Sequence, residues 1–113
     1  MAGTELDTEL IFRPLRNTAR VASNTVSREV VEILNKGGQF EDVKDLVAGS
    51  RGVKVYEIGD LDAGIWSVGT AMGLINDIPT CDELISRIVF DAEELITERL
   101  AGMVETSVEE NVA

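Results

Sequence analysis

The sequence predicts a mainly helical chain with at most one or two short strands. Three observations carry this. Apolar residues recur at helical spacing from Leu15 to Leu34, and again from Leu84 to Met103 behind a strong helix-start signal. A length of 113 residues sets a ceiling of one modest domain. It falls far short of the roughly 250 residues that a (β/α)8 barrel requires. The expected organisation is a single helical domain over 1–104 and a flexible acidic tail over 105–113.

Leu6 to Phe12 reads as a short extended piece, with Leu10 and Phe12 on one face and Ile11 on the other. Pro14 disfavours helix at Arg13 and marks a boundary. From Pro14 to Lys36, the series Leu15, Ala19, Ala22, Val26, Val30, Ile33 and Leu34 fits one amphipathic helix, or two in line broken near Asn24. Gly37 and Gly38 end it, since glycine takes the left-handed conformation at little cost. Phe40, Val43, Leu46 and Val47 mark a short helix closed by Gly49. Residues 50–58 alternate as a strand would, but the run is short and charged, and helix or irregular structure is preferred.

Asp60 or Asp62 can cap a helix over Ala63–Ile75, and Asn76 to Pro79 reads as a turn. Thr80 with Glu83 forms a capping box, each side chain satisfying the other's free backbone amide. Behind it run Leu84, Ile85, Ile88, Ala92, Leu95, Ile96, Leu100 and Met103, with Asp91, Glu94 and Glu98 on the opposite face.

Composition excludes several kinds of chemistry. The chain has no histidine, so it holds no Ser-His-Asp or Cys-His engine and no imidazole-bound metal. One cysteine, Cys81, allows neither an internal disulfide nor a Cys-rich zinc site, and suits a reducing compartment. No basic, apolar leader and no membrane-length apolar run is present, so a cytoplasmic location is expected. Asp60-Leu-Asp62-Ala-Gly64 begins like a calcium loop, yet Ala71 stands where the twelfth-position carboxylate belongs. The pattern therefore predicts no catalytic residue and no metal site.

The net charge of −11 is unevenly distributed. Residues 1–12 carry −3, 13–36 carry +3, 37–56 balance, and 57–113 carry −11. A polyphosphate would be repelled by so acidic a half, which argues against a nucleic-acid partner. On a helix, Arg13, Arg16 and Arg20 would share one face, with Arg28 further on. Such a face can be an anion shelf, or more simply a set of ion pairs to the acidic remainder or to a partner surface. Gly64, Gly69 and Gly73 each cost about 1 kcal/mol within a helix, so close packing must compensate them. Packing against protein is preferred over ligand contact there, and the lone Trp66 reads as core or interface.

Three blocks carry a family resemblance. They are Leu10-Ile-Phe-Arg-Pro-Leu-Arg-Asn-Thr-Ala-Arg-Val21, Phe40-Glu-Asp-Val-Lys-Asp-Leu-Val-Ala-Gly49, and Gly59 to Thr80 with its Ala63-Gly-Ile-Trp-Ser67 core. Over residues 6–104 the chain resembles the C-terminal region of the nitronate monooxygenases, formerly 2-nitropropane dioxygenases, a family that includes flavin-dependent enoyl reductases.

The resemblance implies the helical C-terminal or lid portion of a (β/α)8-barrel flavoenzyme, with the barrel itself absent. The family reaction is oxidation of alkyl nitronates with dioxygen, using FMN and a proton-abstracting histidine. That histidine and the flavin phosphate loops lie upstream of the resembling region, so no catalytic residue carries over. No FMN is expected on this chain alone, and inactivity alone is expected. Ser67, Gly69 and Thr70 become flavin-side or barrel-contact positions, with Thr70 standing where the family commonly has glutamine. Arg16, Arg20, Trp66 and Gly73 become interface positions. The expected partner is an upstream barrel portion or a second copy of the chain. The alternative is a stand-alone, self-associating helical interaction protein.

Overall fold

A computed structural model describes residues 3–104, so the expected acidic tail at 105–113 lies outside the described residues. The backbone groups into two units, Met1–Asn76 and Asp77–Ala113. The mainly helical class holds, with one two-stranded sheet as the only strand structure among the described residues.

In the first unit, Thr4 caps a 3₁₀ turn over Glu5–Asp7, and Asp7 returns the favour by accepting from the Thr4 amide at 2.7 Å. The expected extended piece is strand β1, Thr8–Ile11. It pairs antiparallel with β2, Ala19–Ala22, in the register Thr8↔Ala22 to Ile11↔Ala19. The helix expected to start at Pro14 is therefore absent until Thr25. Pro14 stands inside a 3₁₀ turn, Arg13–Leu15, bounded by Phe12 and Arg16 in the left-handed region at φ 61° and 56°. Those two residues reverse the chain, and pairing with β1 overrides the weak helical pattern of Leu15, Ala19 and Ala22. Val21 and Ala22, at the end of β2, are both buried.

Helix α1, Thr25–Asn35, starts at the break expected near Asn24. Val26, Val30 and Leu34 lie one turn apart and are buried. Gly37, at φ +90°, turns the chain after its end. The short α2, Phe40–Val43, inserts Val43 fully into the core, while Phe40 stays half exposed against Phe12 with ring centroids 6.4 Å apart. Ile11, Val21, Val30, Leu34 and Val43 form the core, and each contributes about 1.5–3 kcal/mol through burial.

The ambiguous run at 50–58 is helix α3, Gly49–Ile58. Gly49 opens this helix instead of closing the previous one. The Arg51 amide donates to Ala48 O at 2.9 Å, which starts the helix at that point. Gly59, at φ +68°, ends it.

No helix spans Ala63–Ile75. The segment crosses the unit as irregular chain, forms an isolated antiparallel bridge between Ser67 and Val21, and coils only into a 3₁₀ turn over Thr70–Leu74. Asp60 and Asp62 cap no helix there; Asp62 accepts instead from the Thr25 amide of α1 at 2.8 Å.

In the second unit, the capping box forms as expected. The Thr80 amide donates to Glu83 Oε2 at 2.9 Å, and the Glu83 amide donates to Thr80 Oγ1 at 3.3 Å. Helix α4, Cys81–Glu94, continues as a π-helical stretch over Leu95–Leu100 and a 3₁₀ turn over Ala101–Met103. Arg87 grips Asp77 with both guanidinium ends, at 2.8 and 3.1 Å. The apolar stripe Leu84, Ile85, Ile88, Leu95 and Ile96 is 42–63% exposed.

Candidate functional site

The site of interest in the first unit is a cleft of about 410 Å³ where the end of β2, the start of α1 and the 61–72 segment meet. Asn24 organises it. This residue is only 6% exposed, and all its side-chain hydrogen-bonding capacity is directed inward. Its Oδ1 accepts from the Ser27 amide at 2.8 Å, the cap of α1. Its Nδ2 donates to Leu61 O at 2.8 Å and to Gly64 O at 2.9 Å, tying a distant loop to the helix start. Such bonds matter most when buried, because an orphaned carbonyl there costs about 1–3 kcal/mol.

The indole Nε1 of Trp66 donates to the same Leu61 carbonyl at 3.1 Å. Trp66 O in turn accepts from the Ala22 amide at 3.1 Å, which extends the edge of β2. Gly64 fits closely under α3: a Cβ there would stand 2.6 Å from the Arg51 carbonyl carbon. Arg51 Nε donates to Ala63 O at 3.1 Å and fixes the same stretch.

Charge enters the cleft from three side chains. Asp62 is held below the usual carboxylate range first by the Thr25 backbone N–H, with Arg28 adding a lesser electrostatic pull. Asp7 is lowered chiefly by its bond from the Thr4 amide. Arg28 donates to Ser23 Oγ at 3.3 Å.

Trp66 is therefore the expected position that the structure brings to a cavity. Ser67 follows it on the bridge to Val21 and is exposed, as are Gly69 and Thr70 at the start of the 3₁₀ turn. A Cβ on Gly69 would meet only Ala71 N, at 4.0 Å, among the described residues, so none of them closes over that glycine. By themselves Ser67, Gly69 and Thr70 do not form an FMN cradle. Gly73 is tight for a protein reason, its Cβ position lying 2.6 Å from Glu5 Oε2. Gly69 and Gly73 share no helical face, because Gly69 is extended ahead of the turn.

The arginines are also separated. Arg16 is exposed at the hairpin reversal, while Arg20 lies on β2 and donates to Thr8 Oγ1 at 2.6 Å. Neither the shared arginine face nor its ion pairs form among the described residues, where the ion pairs are Lys36–Glu32, Lys44–Glu41 and Arg87–Asp77.

Sequence reasoning passed over Asn24 as a site residue and used it only as a helix break. The available signal was its type, since asparagine is among the strongest helix N-caps. Among the described residues no group of three or more potential metal ligands occurs, and no helix is long and apolar enough to cross a membrane.

No family model matches the chain. Among solved structures it is similar to FabK from Thermotoga maritima, with a TM-score of 0.74 and 24% sequence identity over 90% of this chain. The chain spans 32% of the length of FabK. FabK is a (β/α)8-barrel enzyme, so the fold here is that of a mainly helical part of such an enzyme.

Proposed function

We infer that the chain is the helical portion of an FMN-dependent oxidoreductase of the nitronate monooxygenase type, and that it works only against a barrel portion. The carrying observation is the fold: 90% of the chain superposes on about a third of FabK, a flavoenzyme related to that family. The Leu10–Val21 and Gly59–Thr80 blocks support the same reading from sequence. In it, the barrel supplies the flavin phosphate site and the proton-abstracting base, since this chain contains no histidine. The family's oxidation of alkyl nitronates with dioxygen is the reaction we assign to the complete assembly. Ser67, Gly69 and Thr70 form the edge offered to the flavin side, and Trp66 and Gly73 lie behind it.

The test is flavin retention. Purified chain dialysed against FMN should keep no stoichiometric flavin and oxidise no nitronate. A yellow chain with one FMN per copy would overturn the reading.

A second reading has its own support in the exposed stripe on α4 and its continuation. Contiguous apolar surface of that extent marks an interaction face, as expected of a self-associating helical protein. Sedimentation equilibrium separates the two. Concentration-dependent association supports the interaction reading, and a monomer that melts cooperatively argues against it.

A further inference from the structure

The cleft beside Trp66 is fixed by the chain's own hydrogen bonds. Asp7 accepts from the Thr4 amide at 2.7 Å and from Thr4 Oγ1 at 3.0 Å, Asp62 accepts from the Thr25 amide at 2.8 Å, and Trp66 is anchored on Leu61 O. All of these donors to the carboxylates are uncharged, so both acids keep their full negative charge. Arg28 is the single cation among the lining residues, which leaves the rim at a net −1. Leu61, Trp66 and Met72 supply the cleft's apolar lining. The volume of about 410 Å³ falls within the range of small-molecule sites.

A lining that combines an aromatic and apolar side chains with a net negative charge selects one chemistry. Cations are attracted to the faces of tryptophan rings, and the surrounding carboxylates add to that attraction. We propose that this cleft binds a small organic cation with an apolar body, a protonated alkyl- or arylamine, seated against Trp66 and Met72 with its ammonium group towards Asp7 and Asp62. The site needs no flavin and no second polypeptide, so it stands apart from the oxidoreductase reading. Arg28 tunes it: the guanidinium offsets part of the negative rim and weakens cation binding.

Trp66 is the only tryptophan in the chain and therefore reports on its own cleft. Benzylammonium titrated into the full chain should give a saturable change in tryptophan fluorescence, while neutral benzyl alcohol and anionic benzoate should give none. Equal responses to all three would indicate simple apolar partitioning and overturn the proposal, as would no response to benzylammonium.

Asp7→Asn and Asp62→Asn each keep an oxygen for the same backbone amide and remove one charge. Each should weaken benzylammonium binding by about two- to five-fold, the scale of a partly exposed charge interaction. Arg28→Gln should strengthen it by a similar factor. Because Arg28 is exposed, that variant keeps its fold, as far-UV circular dichroism will verify, and unchanged affinity in it contradicts the assignment.

Discussion

Asn24 and Trp66 donate to the same acceptor, the carbonyl oxygen of Leu61, from 2.8 and 3.1 Å. The two residues are 42 positions apart, and the shared oxygen couples the start of α1 to the wall of the cleft. Replacing Asn24 with alanine removes the helix cap and leaves the Leu61 and Gly64 carbonyls without that donor. The expected loss is about 2–4 kcal/mol, combining a lost cap with one buried unsatisfied acceptor, Gly64 O, since Leu61 O keeps its bond from Trp66. Urea unfolding followed by Trp66 fluorescence and circular dichroism checks it. Asn24→Asp keeps the cap but sets a carboxylate against two carbonyls, so it should not rescue the loop.

Two glycines that look alike in sequence should respond differently. Gly64→Ala drives a methyl group into the Arg51 backbone at 2.6 Å and should cost on the order of 1–3 kcal/mol. Gly69→Ala meets only Ala71 N at 4.0 Å, at φ −94°, and should change stability by less than about 0.5 kcal/mol. Parallel denaturant melts of the two variants decide this.

Arg16 holds a left-handed backbone at φ 56° with its side chain exposed. Arg16→Gly should relieve that strain and raise stability by about 0.5–1 kcal/mol, net of the added freedom of the unfolded chain. A fall in stability would show that the arginine side chain anchors the hairpin.

Acidification should release the start of α4. The Thr80 backbone N–H holds Glu83 below its ordinary value, and Arg87 does the same for Asp77. A carboxylate depressed in the folded state contributes stability that is complete above its unfolded pKa and fades as pH falls through its folded one. Helicity should therefore be constant from neutrality down to the ordinary carboxylate range and decline below it. Glu83→Gln, which has no carboxylate to protonate, should remove the Glu83 part of that decline, as read by circular dichroism against pH; Thr80→Ala, which keeps the backbone N–H, should leave most of it.

What could be read from sequence was what depends on neighbours along the chain. Thr80 and Glu83 lie three residues apart, and Val26, Val30 and Leu34 repeat on one turn, so α4 was legible by its cap and α1 by its buried face. The β1–β2 hairpin was not, because Leu15, Ala19 and Ala22 mimic a helical repeat and only pairing with Thr8–Ile11 decides between the two. The 61–69 loop was hidden for a similar reason: Asn24, Arg51 and Val21 hold it from afar. At the site, Trp66 was singled out and lies on the cleft, whereas the Arg13–Arg16–Arg20 face disappeared with the helix that would have presented it.

The proposal that these residues work as the helical part of a barrel flavoenzyme can be tested in the barrel itself. Its most direct test is the flavin content of a chimera in which residues 3–104 replace the matching third of the Thermotoga maritima FabK chain. The chimera should be soluble and retain FMN in a one-to-one ratio, while the isolated chain retains none. A chimera that folds, by circular dichroism and cooperative melting, yet purifies without flavin would contradict it.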